Sequence, residues 1–226
     1  MKNTQIIPIF PLAIVQFPLA ETSLHIFEPR YRQMLTDVMA GDETFGIVLH
    51  QAGRLSQVGC TVGVSGVETL ADGRSNISCV GRSRFRLLEV VDDEHTPYAR
   101  AEVELLEDDL LFEDDALMEL VSRLRDLFSR LYTADQRLRG QGESRIVDAL
   151  PVVSAMESEV FSYFLADYLQ ADLVQKQRWL EMTSTQVRLR DLEVHLHNAV
   201  QVQEQRVKVG QVSRTNGHGG HLPLAD

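Results

Sequence analysis

His25, Glu28, Arg30 and Arg32 stand within eight residues of one another in the stretch Leu24-His-Ile-Phe-Glu-Pro-Arg-Tyr-Arg-Gln-Met-Leu35. A histidine three residues from a carboxylate could act as an acid–base pair in hydrolysis, and two arginines could hold an anion. The same residues also suit a hinge where a strand turns into a helix. Pro29 fits a first helical turn, and Glu28 beside it would favour the helix dipole and cap orphan N–H groups. Ile26, Phe27, Tyr31, Met34 and Leu35 can pack inward, which favours the hinge for His25 and Glu28. The alternative is a small hydrolase or small-molecule sensor with a cleft near those two residues.

Chemistry is scarce in the rest of the chain. There is no Gly-x4-Gly-Lys-[Ser/Thr] phosphate loop and no Gly-x-Ser-x-Gly nucleophile elbow. Gly59, Gly63 and Gly66 are spaced wrongly for a dinucleotide fingerprint and read as bulges or tight turns in strands. Lysine occurs only as Lys2, Lys176 and Lys208, against 19 arginines, and none has the apolar setting that a Ser–Lys dyad needs. His195 and His197, two apart on a predicted helix, diverge around its axis, while His218 and His221 lack a rigid surround. No metal and no cofactor is expected. Cys60 and Cys79 read as small buried thiols of a reducing compartment.

The 226 residues are 44% hydrophobic, enough for a sizeable core, and carry a net charge of −11. Residues 1–108 hold 9 basic and 15 acidic groups, and residues 109–208 hold 12 and 17, so the acidity is spread evenly. Neither half has the basic footprint of a nucleic-acid binder. The run Ile6–Ala20 has the apolar shape of a signal peptide, but Pro8, Pro11 and Pro18 would break its helix. Short extended pieces fit it better. With no apolar run of 18 residues, no membrane partner is expected, and the protein reads as cytoplasmic.

Two kinds of periodicity divide the chain. Up to about residue 108 the pattern is strand-like: Phe45–His50, Val62–Leu70, Asn76–Val80, Arg82–Val90 and Tyr98–Leu105, with Asp72-Gly73 as a hairpin signal. One helix, Pro29 to Ala40, interrupts them. Many short strands with one helix suggest a barrel-like sheet. Beyond Asp109, Leu117, Leu120, Val121, Leu124, Leu127, Phe128 and Leu131 form an amphipathic helical stripe, and Val160, Phe161, Phe164, Leu165 and Tyr168 repeat it. Thr183-Ser-Thr-Gln186 reads as a capping box opening a last helix. The expected organisation is a β-domain at 1–108, a helical bundle at 109–208 and a flexible tail at 209–226. Arg82, Arg84 and Arg86 share one strand face, where Arg84 facing Glu104 and Arg86 facing Glu102 would neutralise them as cross-strand pairs.

Ile9-Phe-Pro-Leu12, Val15-Gln-Phe-Pro18 and Leu24–Leu35 together resemble the N-terminal substrate-recognition domain of ATP-dependent Lon proteases, above all its standalone bacterial versions. Gly46–Leu49, Leu70–Arg74 and Gly81–Arg86 follow in the family's order. Lys176–Glu181 with Arg188-Leu189 resembles the signature of its helical half. One departure falls in Pro18-Leu-Ala-Glu-Thr-Ser23, where family members place a glycine and then a proline. The resemblance implies an α+β chain, a PUA-like mixed β-barrel with one helix followed by an all-α bundle. It implies non-catalytic recognition of polypeptide (an unfolded client, a degron or an adaptor), since the family's ATPase and peptidase lie in separate domains that these residues do not include. The candidate peptide-binding residues are Phe17, Leu19, Arg30 and Tyr31, at one rim of the barrel. Phe17 and Tyr31 serve equally well as core.

Overall fold

The computed structural model describes residues 4–91, 96–109, 112, 114–139 and 151–215. Among the described residues seven strands run in the order β1 (Thr4–Leu12), β2 (Glu21–Ile26), β3 (Thr44–Gln51), β4 (Arg54–Leu55), β5 (Val58–Thr69), β6 (Ser75–Val91) and β7 (Arg100–Leu106). β1, β7, β6, β5 and β3 are hydrogen-bonded neighbours, and a parallel β1–β3 pairing closes the ring into a barrel. Every other pairing is antiparallel. β1 is one continuous strand through Pro8 and Pro11, not short pieces. Its pairing with β7 stops at Pro8 and its pairing with β3 starts at Ile9, so the chain changes partner where a backbone donor is missing.

The two sequence segments expected after Asp72-Gly73 merge into β6, a 17-residue strand. Its first half pairs with β2 and its second with β7, and Gly81 lies between. The turn before it is as expected. Gly73 takes φ 79°, and the Leu70 and Arg74 backbones bond across it. Bulges sit opposite Cys60–Val62 and Val64–Gly66, the place where three glycines cluster.

Helix α1 (Pro29–Met39) opens on Pro29 and buries Tyr31, Met34, Leu35 and Val38, the three-and-four spacing of an amphipathic helix. Those residues join Phe10, Ile26, Phe45, Ile47 and Ile77 in the main core of the barrel. Ile7, Ile9, Val48, Phe85, Ala101 and Val103 form a second cluster. Glu28 holds the N-cap position but makes no capping bond; its carboxylate pairs with Arg30 at 2.8 Å instead.

Among the helices that follow are α2 (Asp115–Leu138), α3 (Ser158–Tyr168), α4 (Leu173–Glu181) and α5 (Thr185–Thr215). Asp114 caps α2 and Asp172 caps α4, each accepting a backbone N–H at 2.8 Å. The last helix is capped one residue later than the capping box suggests: the Ser184 hydroxyl accepts from Val187 N at 3.4 Å, and Thr183 bonds Asp109.

Strand gives way to helix between Leu106 and Asp115, but by contacts the chain divides differently. One unit joins residues 1–111 to 158–188, and the other joins 112–157 to 189–226. Residues 158–188, expected in the bundle, thus group with the sheet. In the second unit, α2 and α5 are cross-tied by Arg123–Glu193 at 3.0 Å and Arg130–Glu204 at 2.9 Å. Of the expected tail, 209–215 continue α5, and 216–226 lie outside the described residues.

Candidate functional site

The densest polar cluster is a buried junction around Asp108. Arg84, from β6, donates to the Asp108 carboxylate and to the carbonyls of Leu180 and Met182, both at 2.8 Å. Arg188, from α5, donates to Asp108 Oδ2 at 2.5 Å, to Ser162 at 2.8 Å and to the Met182 carbonyl at 2.7 Å. Tyr163 and Thr185 complete the carboxylate's shell at 2.8 and 2.5 Å, and the Arg188 guanidinium lies 4.0 Å from the Tyr163 ring centre. Burial opposes the charge on Asp108, but the Arg188 and Thr185 hydrogen bonds and both guanidinium charges hold its carboxyl below the usual carboxylate range. Burial pushes the Tyr163 hydroxyl well up. With its oxygens occupied by four donors, Asp108 is a fastener and not a base.

This junction corrects the reading of the arginine strand. The β6–β7 register lies two residues from the expected one, so Arg86 faces Glu104 at 3.5 Å and Arg84 stands opposite Leu106. Arg84 is 2% exposed, with Asp108 beyond the strand end as its partner.

His25 and Glu28, the acid–base candidates, each have another partner. His25 Nδ1 pairs with Asn76 Oδ1 at 2.8 Å and its ring stacks on Phe27, while Glu28 is held by Arg30. Cys60 is buried, its thiol pushed up to about 12 by desolvation, far from a nucleophile. Among the described residues no group of three or more His, Cys, Asp or Glu could hold a metal, and no helix is long and apolar enough to cross a membrane.

The candidate peptide-binding residues divide. Phe17 and Tyr31 are core: Phe17 has no exposed area, and Tyr31 packs 4.0 Å from the Phe10 ring under the Arg30 guanidinium. Each is an aromatic ring that the core needs for volume. Leu19 and Arg30 remain exposed, and Phe27, which the inward-facing reading placed in the core, is 57% exposed. A groove of about 650 Å³ runs between α1 and the β5–β6 hairpin, lined by Arg32, Leu35, Met39, Val67 and Ser75 among others.

Leu19 is held in place by a small clamp. Its N–H donates to the Gly81 carbonyl and the Gly81 N–H to the Ala20 carbonyl, both at 2.9 Å. The buried Gln16 amide donates to the carbonyls of Phe17 and Ala20, and accepts from Thr22 at 2.5 Å. So held, Leu19 takes φ 64°, a region unfavourable for a side chain with a Cβ, and yet exposes 58% of its surface. Glycine at residue 19 is expected to stabilise the fold by about 1 kcal/mol, seen as a raised unfolding midpoint.

The architecture defines a class: a mixed β-barrel carrying one inserted helix, followed by helices. The family model for the ATP-dependent protease La (LON) substrate-binding domain matches residues 6–198. The chain belongs to that family. It is 26% identical over 220 residues to a Lon protease of Syntrophus aciditrophicus, covering 92% of this chain and 27% of that protein. For Lon protease 2 of Herpetosiphon aurantiacus the figures are 24% over 207 residues, 88% and 24%. The chain thus spans about a quarter of the length of these relatives. Among solved structures, the Lon N-terminal domain protein from Xanthomonas campestris aligns with a TM-score of 0.63 at 21% identity, covering 84% of this chain and 98% of that one. The N-terminal domain of Mycobacterium avium complex Lon protease aligns at 0.65 and 17%, covering 85% and 98%. These likenesses establish the fold.

Proposed function

We propose that this chain is a cytoplasmic, non-catalytic module that recognises polypeptide: an unfolded client, a degron or an adaptor. The observation that carries the reading is Leu19, an exposed apolar side chain displayed in a strained backbone by a hydrogen-bonded clamp. Strain that the surrounding structure enforces at an exposed apolar residue points to a use for that residue. Phe27 is a second exposed apolar side chain, a groove of mixed polar and apolar lining runs beside α1, and Arg30 presents an exposed guanidinium. Membership of a substrate-binding family supports the same reading.

Leu19→Ala, Phe27→Ala and Arg30→Glu combined are expected to weaken binding of reduced, carboxymethylated α-lactalbumin at least tenfold by fluorescence anisotropy. Because all three side chains are exposed, the unfolding midpoint should hold within a few degrees. Unchanged affinity in the triple variant would remove this surface from the function, and failure of the unmodified protein to bind would remove the function itself.

A further inference from the structure

Resting on that reading, we propose that an extended segment of the bound polypeptide adds to the barrel as a strand along the free edge of β2. β2 pairs with β6 on one side only. Among the described residues no strand and no hydrogen bond from outside the β2–β6 ladder reaches the backbone of Glu21–Ile26. An edge strand turns the N–H and C=O of every second residue outward, and an extended chain satisfies them whatever its sequence. That suits a module whose partners share a backbone more than a motif.

The ends of β2 give the added strand its side-chain contacts. Leu19 and Phe27, both more than half exposed, bracket the strand. Six residues at about 3.3 Å each make an edge of roughly 20 Å. Charge selects among extended chains. Glu21 is exposed with no ion-pair partner among the described residues, and Glu68 lies on the same three-stranded patch, bonded only through Asn76. The occupant that fits is an extended segment with apolar side chains and a positive charge facing Glu21.

The test uses the full chain and a labelled ten-residue peptide alternating valine with lysine and serine, together with two forms of it N-methylated on odd or on even residues. An edge strand bonds alternate residues, so one methylated form is expected to lose at least tenfold in affinity and the other to bind like the parent. Glu21→Lys should weaken the parent peptide several-fold at low salt, and amide shifts should move at residues 21–27. Equal binding of both methylated forms and the parent would overturn strand addition while leaving polypeptide recognition standing. A dimer of the free protein with β2 paired to β2, seen by light scattering and not displaced by peptide, would also overturn it. If neither the peptide nor the unfolded α-lactalbumin binds, both readings fall.

Discussion

Asparagine in place of Asp108 is expected to cost about 3–5 kcal/mol of unfolding free energy, the largest effect of any single conservative change here. The magnitude follows from what is left behind. Arg84 and Arg188 are 2% and 0% exposed, and their one shared counter-charge is a carboxylate 4% exposed. An amide keeps the shape and one acceptor oxygen but leaves two buried guanidinium groups without an anion. Against a total stability of order 5–15 kcal/mol, much of the margin would be gone. Denaturant unfolding of the two proteins measures it; a difference below 1 kcal/mol would mean that water reaches the junction.

The same group sets a pH dependence. The folded carboxyl lies below its unfolded value of about 3.9, so its contribution is complete above that value and is lost as pH falls through the folded pKa. Stability should decline below about pH 4, and the decline should be shallower in Asp108→Asn. Asp167 works the other way: burial raises its carboxyl, so its titration opposes the acid loss and remains in the variant.

The second large effect is expected at Gly81. A Cβ there would overlap the Phe17 carbonyl and press on the Gln16 amide. The obstacle is largely backbone, so it cannot swing aside, and Gly81→Ala should cost about 1–3 kcal/mol. It should also release Leu19, since Gly81 holds the clamp through both its N–H and its C=O. Loss of stability and of α-lactalbumin affinity should therefore come together. Gly66→Ala is the control, because its nearest neighbour would be Ser78 at an ordinary 3.9 Å. Equal effects at both glycines would mean that neither reflects the clamp.

What could be read from residues alone was whatever depends on near neighbours. Pro29 with the spacing of Tyr31, Met34, Leu35 and Val38 specified α1 to within one residue of its end, and Asp72-Gly73 specified its hairpin. Arg84 was hidden because an arginine in an alternating strand reads as solvent-facing. What buries it lies 24 residues away in Asp108 and nearly 100 away in the carbonyls of Leu180 and Met182, which no local pattern announces. Phe17 and Tyr31 could be core or rim on type alone, and the fold took both as core. Leu19 carried a signal in the missing glycine of Pro18–Ser23, although only the backbone angle shows what the leucine tolerates there.

The Asp108 junction also constrains the order in which the protein can be made. The carboxylate and Arg84 emerge early from the ribosome, but Leu180, Met182 and Arg188 follow some 70 to 80 residues later, after the whole of α2. Until then the nascent sheet carries an arginine with the Asp108 carboxylate in place and neither of its two carbonyl acceptors. Closing such a distant set of contacts is slow, because a long loop must be ordered before anything is gained. A chain stopped after residue 111 would have every strand of the barrel and still lack the fastening for β6. Co-translational maturation therefore waits for the start of the last helix.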